Sequence, residues 1–343
     1  MNATLAHRFD DVVRDGLGRR FTAAVLRIER AGRPVFERAY GALDDLPGAQ
    51  PTRLTTRFDL ASLTKVVVAH AALDAVATGA LTLDATLVPW HAPWRGTPHE
   101  DITLRMLLAH TAGMQSGADY RTLFDENVEA YALGRALVAR PGERVVYSDL
   151  GFIALGALLA RAAGASLRHV VARSLARAGA TQTDYRPRND APCAVPATEN
   201  DAWRGRLRGT VHDEKAYLMG GVAGHAGLFG TAADICRIAD TYLAAATGRA
   251  PSPLARGAVA EHGPDPVLRR GLGWALKTSD DNSCGAVASP DTFGHTGFTG
   301  TCVWADPARD VCVVLLTNAV YYGRRDLRDV RAAVCDAAFA TFG

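Results

Sequence analysis

The sequence FDLASLTK, residues 58–65, joins a strand-like start to a helix-like end. The apolar run that follows predicts a helix that begins near Ser62 and continues to about Ala77, where Gly79 stops it. Residues three apart on a helix share one face, so the Ser62 hydroxyl and the Lys65 ammonium are predicted to lie side by side. The first turn of the predicted helix therefore carries a hydroxyl and an amine.

Two interpretations of this pair are open. In the simpler one, Ser62 caps the helix and Lys65 is solvated. A capping box, however, has Glu or Gln three residues after the cap, and a lysine in the first turn opposes the helix dipole. In the second interpretation, Ser62 is a nucleophile at the positive end of the helix and Lys65 is its activating partner. The departure from capping chemistry favours the second.

Strand character is concentrated at the two ends of the chain. Residues 21–28 and 34–40 flank Ala31-Gly32, which predicts a β-hairpin. Three late segments are rich in β-branched and aromatic residues: 271–277, 301–305 and 311–317. The middle of the chain is mostly helical, with helices predicted over 102–110, 128–139 and 152–163, and a last helix is predicted from about Arg325.

This distribution favours a fold with one sheet that draws strands from both termini. The expected fold class is α+β or an α/β sandwich: an antiparallel sheet formed from both chain ends, flanked by helices, with an inserted mainly helical domain. The predicted division is an α/β domain over 1–81 and 231–343 and a helical domain over 82–230. The functional site is expected between the two domains.

A second motif, Tyr147-Ser148-Asp149, stands directly before the helix predicted over 152–163. A phenol is a poor base unless a neighbouring cation stabilises its phenolate. Next to Lys65, Tyr147 would take the proton from Ser62 and later deliver it to the leaving group. Taken alone, the tripeptide would be interpreted as a packed tyrosine at a capped helix entrance.

A third motif, GHTGFTG over residues 294–300, precedes the strand at 301–305. A Gly-rich edge strand allows the main chain of a ligand to approach the main chain of the protein. Its amides would also be suited to an oxyanion hole. Without the other two motifs, a Gly-rich turn and a functional segment would be equally good interpretations of these residues.

The ordered trio Ser-x-x-Lys, Tyr-Ser-Asp and His-Thr-Gly resembles the serine β-lactamase and penicillin-binding-protein superfamily. Within it, the chain looks most similar to class C β-lactamases, D-stereospecific peptidases and related esterases. The phrases that carry the resemblance are FDLASLTK at 58–65, LLAHTAGM at 107–114, YSDLGFIALG at 147–156, GGVAGHAGLFGTAAD at 220–234, GLGW at 271–274 and FGHTGFTGT at 293–301. The run VHDEKA at 211–216 also resembles bacterial amidases of this superfamily that act on cell-wall muropeptides.

The resemblance implies an acyl-enzyme mechanism. Ser62 would attack a carbonyl carbon while Lys65 and Tyr147 handle protons, and whether Lys65 or Tyr147 is the base stays open. The backbone N–H groups of Ser62 and Phe298 would hold the oxyanion. His295, Thr296, Gly297 and Asp149 would contact the substrate.

Two positions depart from the lactamase pattern. The third motif of those enzymes usually begins with Lys, whereas this chain has His295, which is mostly neutral at pH 7 and a weaker anchor for a carboxylate. Their second motif commonly ends in Asn, whose amide donates, whereas an ionised Asp149 only accepts. Both differences argue against efficient β-lactam hydrolysis and favour an ester, or an amide with a donor near the scissile bond.

The remaining glycines and histidines point to no cofactor. The glycines form neither a dinucleotide-binding fingerprint nor a P-loop, and neither HExxH nor clustered histidines occur, so no nucleotide cofactor and no metal are expected. His225 would line the cleft or, with equal weight, make structural hydrogen bonds in its loop. Lys215 is interpreted as a solvated residue of a polar loop.

Composition sets the broad class. The 343 residues are 48% hydrophobic and 22% charged, with a net charge of +2, which gives no reason to expect nucleic acid or an anionic membrane as partner. Six cysteines show no metal-like spacing, and the start of the chain lacks the pattern of a secretory signal. The expected location is the cytoplasm, with reduced thiols and no membrane span. The oligomeric state is not predicted.

Three functions fit these observations. The leading hypothesis is a hydrolase of esters or small amides, with muropeptide-like amides among the substrates. The second is an acyltransferase of secondary metabolism that passes the Ser62-bound acyl group to an alcohol or amine. The third is a catalytically silent binding protein on the same fold, against which the intact Ser62, Lys65 and Tyr147 count.

Overall fold

A computed structural model describes residues 3–187, 195–279 and 281–342. Cys193 lies outside the described residues, and the five described cysteines are buried and free. The main β-strands and the short accessory strands are β1 (Ala23–Arg30), β2 (Arg33–Gly41), β3 (Phe58–Asp59), β4 (Asp184–Tyr185), β5 (Ala197–Asp201), β6 (Gly205–Arg208), β7 (Leu228–Gly230), β8 (Ala275–Leu276), β9 (Phe293–Thr296), β10 (Cys302–Asp306) and β11 (Val311–Thr317).

The α-helices of the described residues are α1 (Ala3–Gly16), α2 (Leu63–Ala77), α3 (Leu104–Leu108), α4 (Val128–Gly134), α5 (Asp149–Ala163), α6 (Leu167–Arg177), α7 (Glu214–Leu218), α8 (Ala232–Ala246), α9 (Pro253–Ala258) and α10 (Arg328–Phe342). None of these helices alone is long and apolar enough to cross a membrane. By length and composition only, α5 and α6 would pass as a pair, but the two are bent by 83°.

Six strands form one antiparallel sheet in the order β2-β1-β11-β10-β9-β8. The sheet closes where the two chain ends meet, because β1 pairs with β11 from Ala24↔Thr317 to Arg30↔Val311. At Ala31-Gly32 both residues have positive φ, which gives the tight turn of the β1–β2 hairpin. The structure confirms the predicted sheet of strands from both termini. The predicted division at residues 81 and 231 stays a prediction.

Helices cover both faces of this sheet. Strand β11 has the sequence VCVVLLT and is buried along its whole length, as expected for a strand that packs on both sides. Val313 and Leu315 pack with Phe9 of α1 and Phe339 of α10 on one face. On the opposite face the intervening apolar side chains pack against α2 and α8. The period of two along β11 thus places a helical layer on each side.

Two helical predictions need correction. The helix expected over 128–139 ends as α4 at Gly134, because the next residues adopt an extended path that begins at Arg135. The helix expected over 102–110 is only α3, because His110 has a φ of 59° and turns the chain out of the helix.

Candidate active site

A three-stranded sheet delivers the chain to Ser62. Strand β3 pairs with β7, and Ala61 then takes a φ of 46°, a conformation that non-glycine residues rarely adopt. The Asp59 carboxylate, which is buried, accepts a hydrogen bond from the Ala61 N–H at 2.9 Å and so holds this turn. Ser62 stands at the N-terminus of α2 with a side chain that makes no capping bond. Its hydroxyl is therefore free for other contacts.

Two side chains converge on the Ser62 hydroxyl. The Lys65 ammonium donates a hydrogen bond to Ser62 Oγ at 3.0 Å, as the i, i+3 spacing predicted. The Tyr147 hydroxyl donates to the same oxygen, also at 3.0 Å. The Lys65 ammonium also lies 5.0 Å from the centre of the Tyr147 ring. A hydroxyl, an amine and a phenol thus share one contact point, which is the arrangement that activates a serine.

Lys65 is completely buried, and a carboxylate offsets its charge. Its ammonium contacts Asp149 Oδ1 at 2.8 Å and donates to the backbone carbonyl of His225 at 3.1 Å. Burial by itself lowers the pKa of Lys65, but Asp149 and, next, Tyr147 outweigh that effect and raise the pKa above its usual value. The raised pKa favours the charged ammonium at neutral pH.

A second lysine completes this network, contrary to its interpretation as a solvated residue. Lys215 is buried, with its ammonium 3.3 Å from Asp149 Oδ2 and 3.4 Å from Asp213 Oδ2. Burial lowers the pKa of Lys215, but Asp213 and Asp149 reverse the effect and raise it. The burial of Lys215 could not be predicted from the polar sequence VHDEKA. It arises because Lys215, in helix α7, contacts the carboxylate of Asp149 from a distant segment.

His225 does not line the cleft with its ring. The ring is buried, and its Nε2 lies 2.8 Å from Asp213 Oδ1. The carboxyl of Asp213 would be disfavoured as an anion by burial, but His225 and then Lys215 hold its pKa well below the ordinary value. His225 thus contributes its backbone carbonyl to Lys65 and its ring to Asp213.

Tyr147 is held by the segment around His110. The His110 Nδ1 accepts a hydrogen bond from the Ser148 N–H at 3.0 Å, and the His110 and Tyr147 rings lie 4.7 Å apart. The Ser148 hydroxyl caps α5 by accepting from the Gly151 N–H at 2.8 Å. The residues on either side of Ser148 make separate contacts: Tyr147 with Ser62 Oγ, and Asp149 with the Lys65 ammonium.

The Gly-rich third motif is fastened to the chain that precedes Ser62. The Thr299 hydroxyl donates to the Asp59 carbonyl at 2.7 Å, and the Thr301 hydroxyl donates to the Leu60 carbonyl at 3.1 Å. Gly297 sits so close that a Cβ there would lie 2.6 Å from the Leu60 carbonyl oxygen. Only glycine allows this approach of main chain to main chain.

Two backbone N–H groups are available to bind an oxyanion. Within the described residues, neither Ser62 nor Phe298 donates its N–H to another protein group. Strand β9 pairs on its outer side with β8 only at Phe293 and Gly294, so the edge is open at His295 and Thr296. This open edge adjoins the loop that carries Phe298. The third motif thus includes a stretch of open strand edge, as the sequence analysis predicted for ligand binding.

His295 is neutral in this setting. Its Nδ1 lies 2.8 Å from the Thr296 carbonyl oxygen, and its Nε2 is buried with no described partner. Burial, followed by the positive charges of Arg270 and Lys65, lowers the pKa of His295 to about 3. His295 therefore brings no positive charge to the site.

Comparison with known proteins assigns the chain to a family. A model of the Beta-lactamase family matches residues 9–337. A putative D-alanyl-D-alanine carboxypeptidase of Escherichia coli (strain K12) is 31% identical over 327 residues, covering 83% of this chain and 75% of the relative. An N-acetylmuramyl-L-alanine amidase of Bacillus subtilis (strain 168) is 28% identical over 356 residues, covering 91% and 80%. The chain belongs to the β-lactamase family.

The fold resembles that of a solved hydrolase over almost the full length of the chain. EstCE1, a solved structure described as a hydrolase with promiscuous acyltransferase activity, has a TM-score of 0.77 at 24% identity, covering 98% of each chain. Since the relatives named carboxypeptidase and amidase are serine hydrolases, this member of the β-lactamase family is an enzyme of the same class.

Two cavities of this β-lactamase family member meet at Ser62 and Tyr147. The larger, of about 600 Å³, is bounded by β9, the segment before β8 and the start of α10, and includes His295, Thr296 and Gly297. The smaller, of about 280 Å³, includes Asp149 and Lys215. Ser62 and Tyr147 therefore border both cavities.

Three ligand-type side chains also come close together, namely Asp149, Asp213 and His225, with one ligand atom of each within 4.8 Å of the others. The Lys215 ammonium contacts both carboxylates of this group. A lysine thus already supplies the positive charge that a cation would bring.

Sequence reasoning missed one further residue, Arg270. It lines the larger cavity, and its guanidinium carbon lies 5.2 Å from the centre of the Tyr147 ring. The only signal in the sequence was its place directly before GLGW at 271–274. Arginine is so common in this chain that one more carried no information.

Proposed function

We propose that the chain hydrolyses an ester or a small amide through an acyl-enzyme on Ser62, with muropeptide-like amides as candidate substrates. The observation that carries this proposal is the convergence of Lys65 Nζ and the Tyr147 hydroxyl on Ser62 Oγ, each at 3.0 Å. The relatives named carboxypeptidase and amidase support amide substrates from the cell wall.

Tyr147 is assigned as the base. Asp149 favours the charged form of Lys65. The charged Lys65 ammonium has no lone pair to accept the serine proton. We propose that Tyr147 reacts as a phenolate beside the Lys65 cation and takes the proton from Ser62 as Oγ bonds to the substrate carbonyl carbon. The oxyanion is bound by the N–H groups of Ser62 and Phe298.

The second half of the cycle uses the same groups in reverse. The tetrahedral intermediate collapses, the bond to the leaving group breaks, and Tyr147 gives its proton to the departing nitrogen or oxygen. Water then attacks the acyl carbon, Tyr147 takes one proton from it, and that proton returns to Ser62 Oγ as the acid leaves. Atoms and protons balance without a cofactor.

Steady-state kinetics test this assignment. Wild type is expected to hydrolyse p-nitrophenyl butyrate, and Ser62→Ala, Lys65→Met and Tyr147→Phe are each expected to lower kcat by at least about a hundredfold, the order seen when a positioned acid–base group is removed. Full activity in Tyr147→Phe would contradict its role as base. If an added alcohol captured the acyl group faster than water does, the proposed hydrolysis would give way to acyl transfer.

β-Lactams are expected to be poor substrates by comparison. Asp149, held as an anion by Lys65 and Lys215, offers no donor to a substrate carbonyl, and the neutral His295 offers no charge. Turnover of nitrocefin is therefore expected to be slower than turnover of p-nitrophenyl butyrate. Faster nitrocefin hydrolysis would contradict the substrate argument but leave the acyl-enzyme proposal intact.

A further inference from the structure

His212 contacts both segments that supply the proposed oxyanion donors. Its backbone N–H donates to Asp59 Oδ2 at 2.7 Å, in the segment that leads into Ser62. Its ring stacks on the ring of Phe298, with the two ring centres 5.7 Å apart and the ring planes inclined by 25°. His212 therefore reaches one donor segment through its main chain and the other through its side chain.

Asp59 is the residue through which His212 reaches Ser62. It is 3% exposed, and its carboxylate accepts from two backbone N–H groups, that of Ala61 at 2.9 Å and that of His212 at 2.7 Å. Ala61 has a φ of 46°, and the Ser62 N–H lies in the planar peptide unit that joins Ala61 to Ser62. The Asp59 carboxylate therefore holds the turn that sets the direction of the Ser62 N–H.

The Asp59 carboxylate is buried at a cost. Burial raises its pKa, and the hydrogen bonds from the N–H groups of His212 and Ala61 oppose this effect without overcoming it. Burying a polar group costs free energy unless it is hydrogen bonded, so both N–H groups are needed. Ionisable groups with perturbed pKa values are concentrated at functional sites, and the position of Asp59 beside Ser62 agrees with that trend.

The second donor segment is held by the same two residues. The hydroxyl of Thr299, the residue after Phe298, donates to the Asp59 carbonyl at 2.7 Å. The side chain of Phe298 is 58% exposed, and the His212 ring supports it. His212 is itself fixed, because its Nε2 lies 2.8 Å from Glu199 Oε2. The loop of Phe298 is therefore held both at its ring and at the next residue.

We propose that Asp59 and His212 are positioning residues that orient the two oxyanion donors, the N–H groups of Ser62 and Phe298. The proposal rests on the proposed function, in which these two N–H groups bind the oxyanion. An oxyanion hole is effective when its donors are already aimed at the place where negative charge develops. Residues that fix the direction of the donors therefore increase the rate without touching the substrate.

The segment VHDEKA at 211–216 thereby supports two parts of the site. His212 orients the oxyanion donors, and three residues later Lys215 contacts Asp149, the partner of Lys65. The anion-binding part and the proton-transfer part of the site thus depend on one short stretch of chain.

A substrate with sulfur in place of the carbonyl oxygen tests the proposal. The pair of substrates is p-nitrophenyl butyrate and its thiono analogue, in which C=S replaces C=O and the leaving group is the same. Donors aimed at an oxyanion stabilise the larger sulfur anion less, so wild type is expected to have a higher kcat/KM for the oxygen ester. The ratio of the two kcat/KM values, the oxygen preference, measures how well the donors are aimed.

Asp59→Asn is expected to lower the oxygen preference by roughly tenfold, a part of the hundredfold or more that is lost with a whole oxyanion donor. The amide oxygen accepts from only one of the two N–H groups, because the amide nitrogen is itself a donor. For the oxygen ester, kcat is expected to fall while KM changes less.

Two substitutions at His212 keep its backbone N–H and change only its ring. His212→Ala removes the ring that supports Phe298 and is expected to lower the oxygen preference by roughly threefold or more, the order that an aromatic pair contributes. His212→Phe keeps a ring in that place and is expected to retain most of the preference.

Asp234→Asn is the matched control. Asp234 is also buried, and its carboxylate accepts from the Gln182 N–H at 2.7 Å and the Thr183 hydroxyl at 2.9 Å, which lie just before β4 and outside the oxyanion hole. This variant is expected to keep the wild-type oxygen preference. All rates are divided by the number of active sites, counted by titration with a fluorophosphonate. A folding defect therefore lowers the number of sites and not the oxygen preference.

An unchanged oxygen preference in either Asp59→Asn or His212→Ala would overturn the inference, as would an equal fall in Asp234→Asn. A wild type without an oxygen preference would also overturn it, because no aimed donors would be there to disturb. If Asp59→Asn yields no folded protein, His212→Ala decides alone. The proposed function fails separately, if Ser62→Ala still hydrolyses p-nitrophenyl butyrate.

Discussion

The surroundings of the Ser62 hydroxyl depend on Asp149, a charged residue that contacts its partner Lys65. Asp149 lies between two lysines, with one carboxylate oxygen 2.8 Å from Lys65 and the other 3.3 Å from Lys215. Burial would raise the pKa of Asp149, but Lys65, His225 and Lys215 together lower it. Asp149 is thus shared between two lysines, and it influences Ser62 through Lys65, which contacts both residues.

Asp149→Asn is expected to be strongly destabilising. It leaves Lys65 buried without its counter-ion, which costs roughly 3 kcal/mol of unfolding free energy when one partner of a buried pair is removed. Adding Lys215→Met to this variant is expected to cost less than Lys215→Met alone, because the two changes share a contact. Urea unfolding of the four proteins measures the coupling.

The control is an exposed ion pair. Asp84 contacts Arg105 at 2.6 Å but is mostly exposed, so Asp84→Asn is expected to change the unfolding free energy by about 1 kcal/mol or less. If Asp149→Asn were as mild as Asp84→Asn, or if the changes at Asp149 and Lys215 were additive, the shared-charge account would be wrong.

His295 makes the stability of the protein depend on pH. Its pKa falls from 6.5 to about 3 in the folded state, so between these values the unfolded chain takes up a proton that the folded chain does not. Folding stability is therefore expected to fall as pH decreases, by about 2 kcal/mol between pH 7 and pH 5 from this residue. His295→Gln is expected to show a smaller fall in urea unfolding. An identical pH dependence in both proteins would contradict the buried neutral histidine.

At the scale of elements, the site depends on how strand β9 and its loop are held against the start of α2. The hydroxyls of Thr299 and Thr301 fasten this loop to carbonyls just before Ser62. The loop that carries Phe298, a proposed oxyanion donor, is therefore tied to the segment that leads into Ser62. The sequence showed each motif, but the contact between them is non-local and became visible only in the fold.

Gly297→Ala tests this close approach. A Cβ would lie 2.6 Å from the Leu60 carbonyl oxygen and collide with Thr301. The loop must shift away from Ser62, at an expected cost of about 1–3 kcal/mol in stability, and kcat is expected to fall while KM changes less. Thermal unfolding and p-nitrophenyl butyrate kinetics measure the two effects.

Gly257→Ala in α9 provides the matched control. A Cβ there meets no atom within 4 Å, so the variant is expected to keep wild-type activity and to be slightly more stable. Wild-type kcat in Gly297→Ala would contradict the view that the loop and the nucleophile are positioned together.

At the scale of the whole molecule, the site gathers segments from four distant parts of the chain. The pairing of Ser62 with Lys65 was predictable from helical spacing alone, and the antiparallel sheet from strand patterns at both ends. The place of Tyr147 and Asp149 required the family resemblance, because no local rule brings them to Ser62. Lys215 escaped prediction because its contacts depend on burial, which follows from packing and not from residue type.

The central claim is that Ser62 is the nucleophile that forms the acyl-enzyme. Mass spectrometry of the intact protein tests this claim most directly. After exposure to a fluorophosphonate, wild type is expected to gain the mass of one adduct, located by peptide mapping in the segment 58–65. The Ser62→Ala protein, checked for normal folding, is expected to gain none. An adduct that persists at the same stoichiometry on Ser62→Ala would contradict the account.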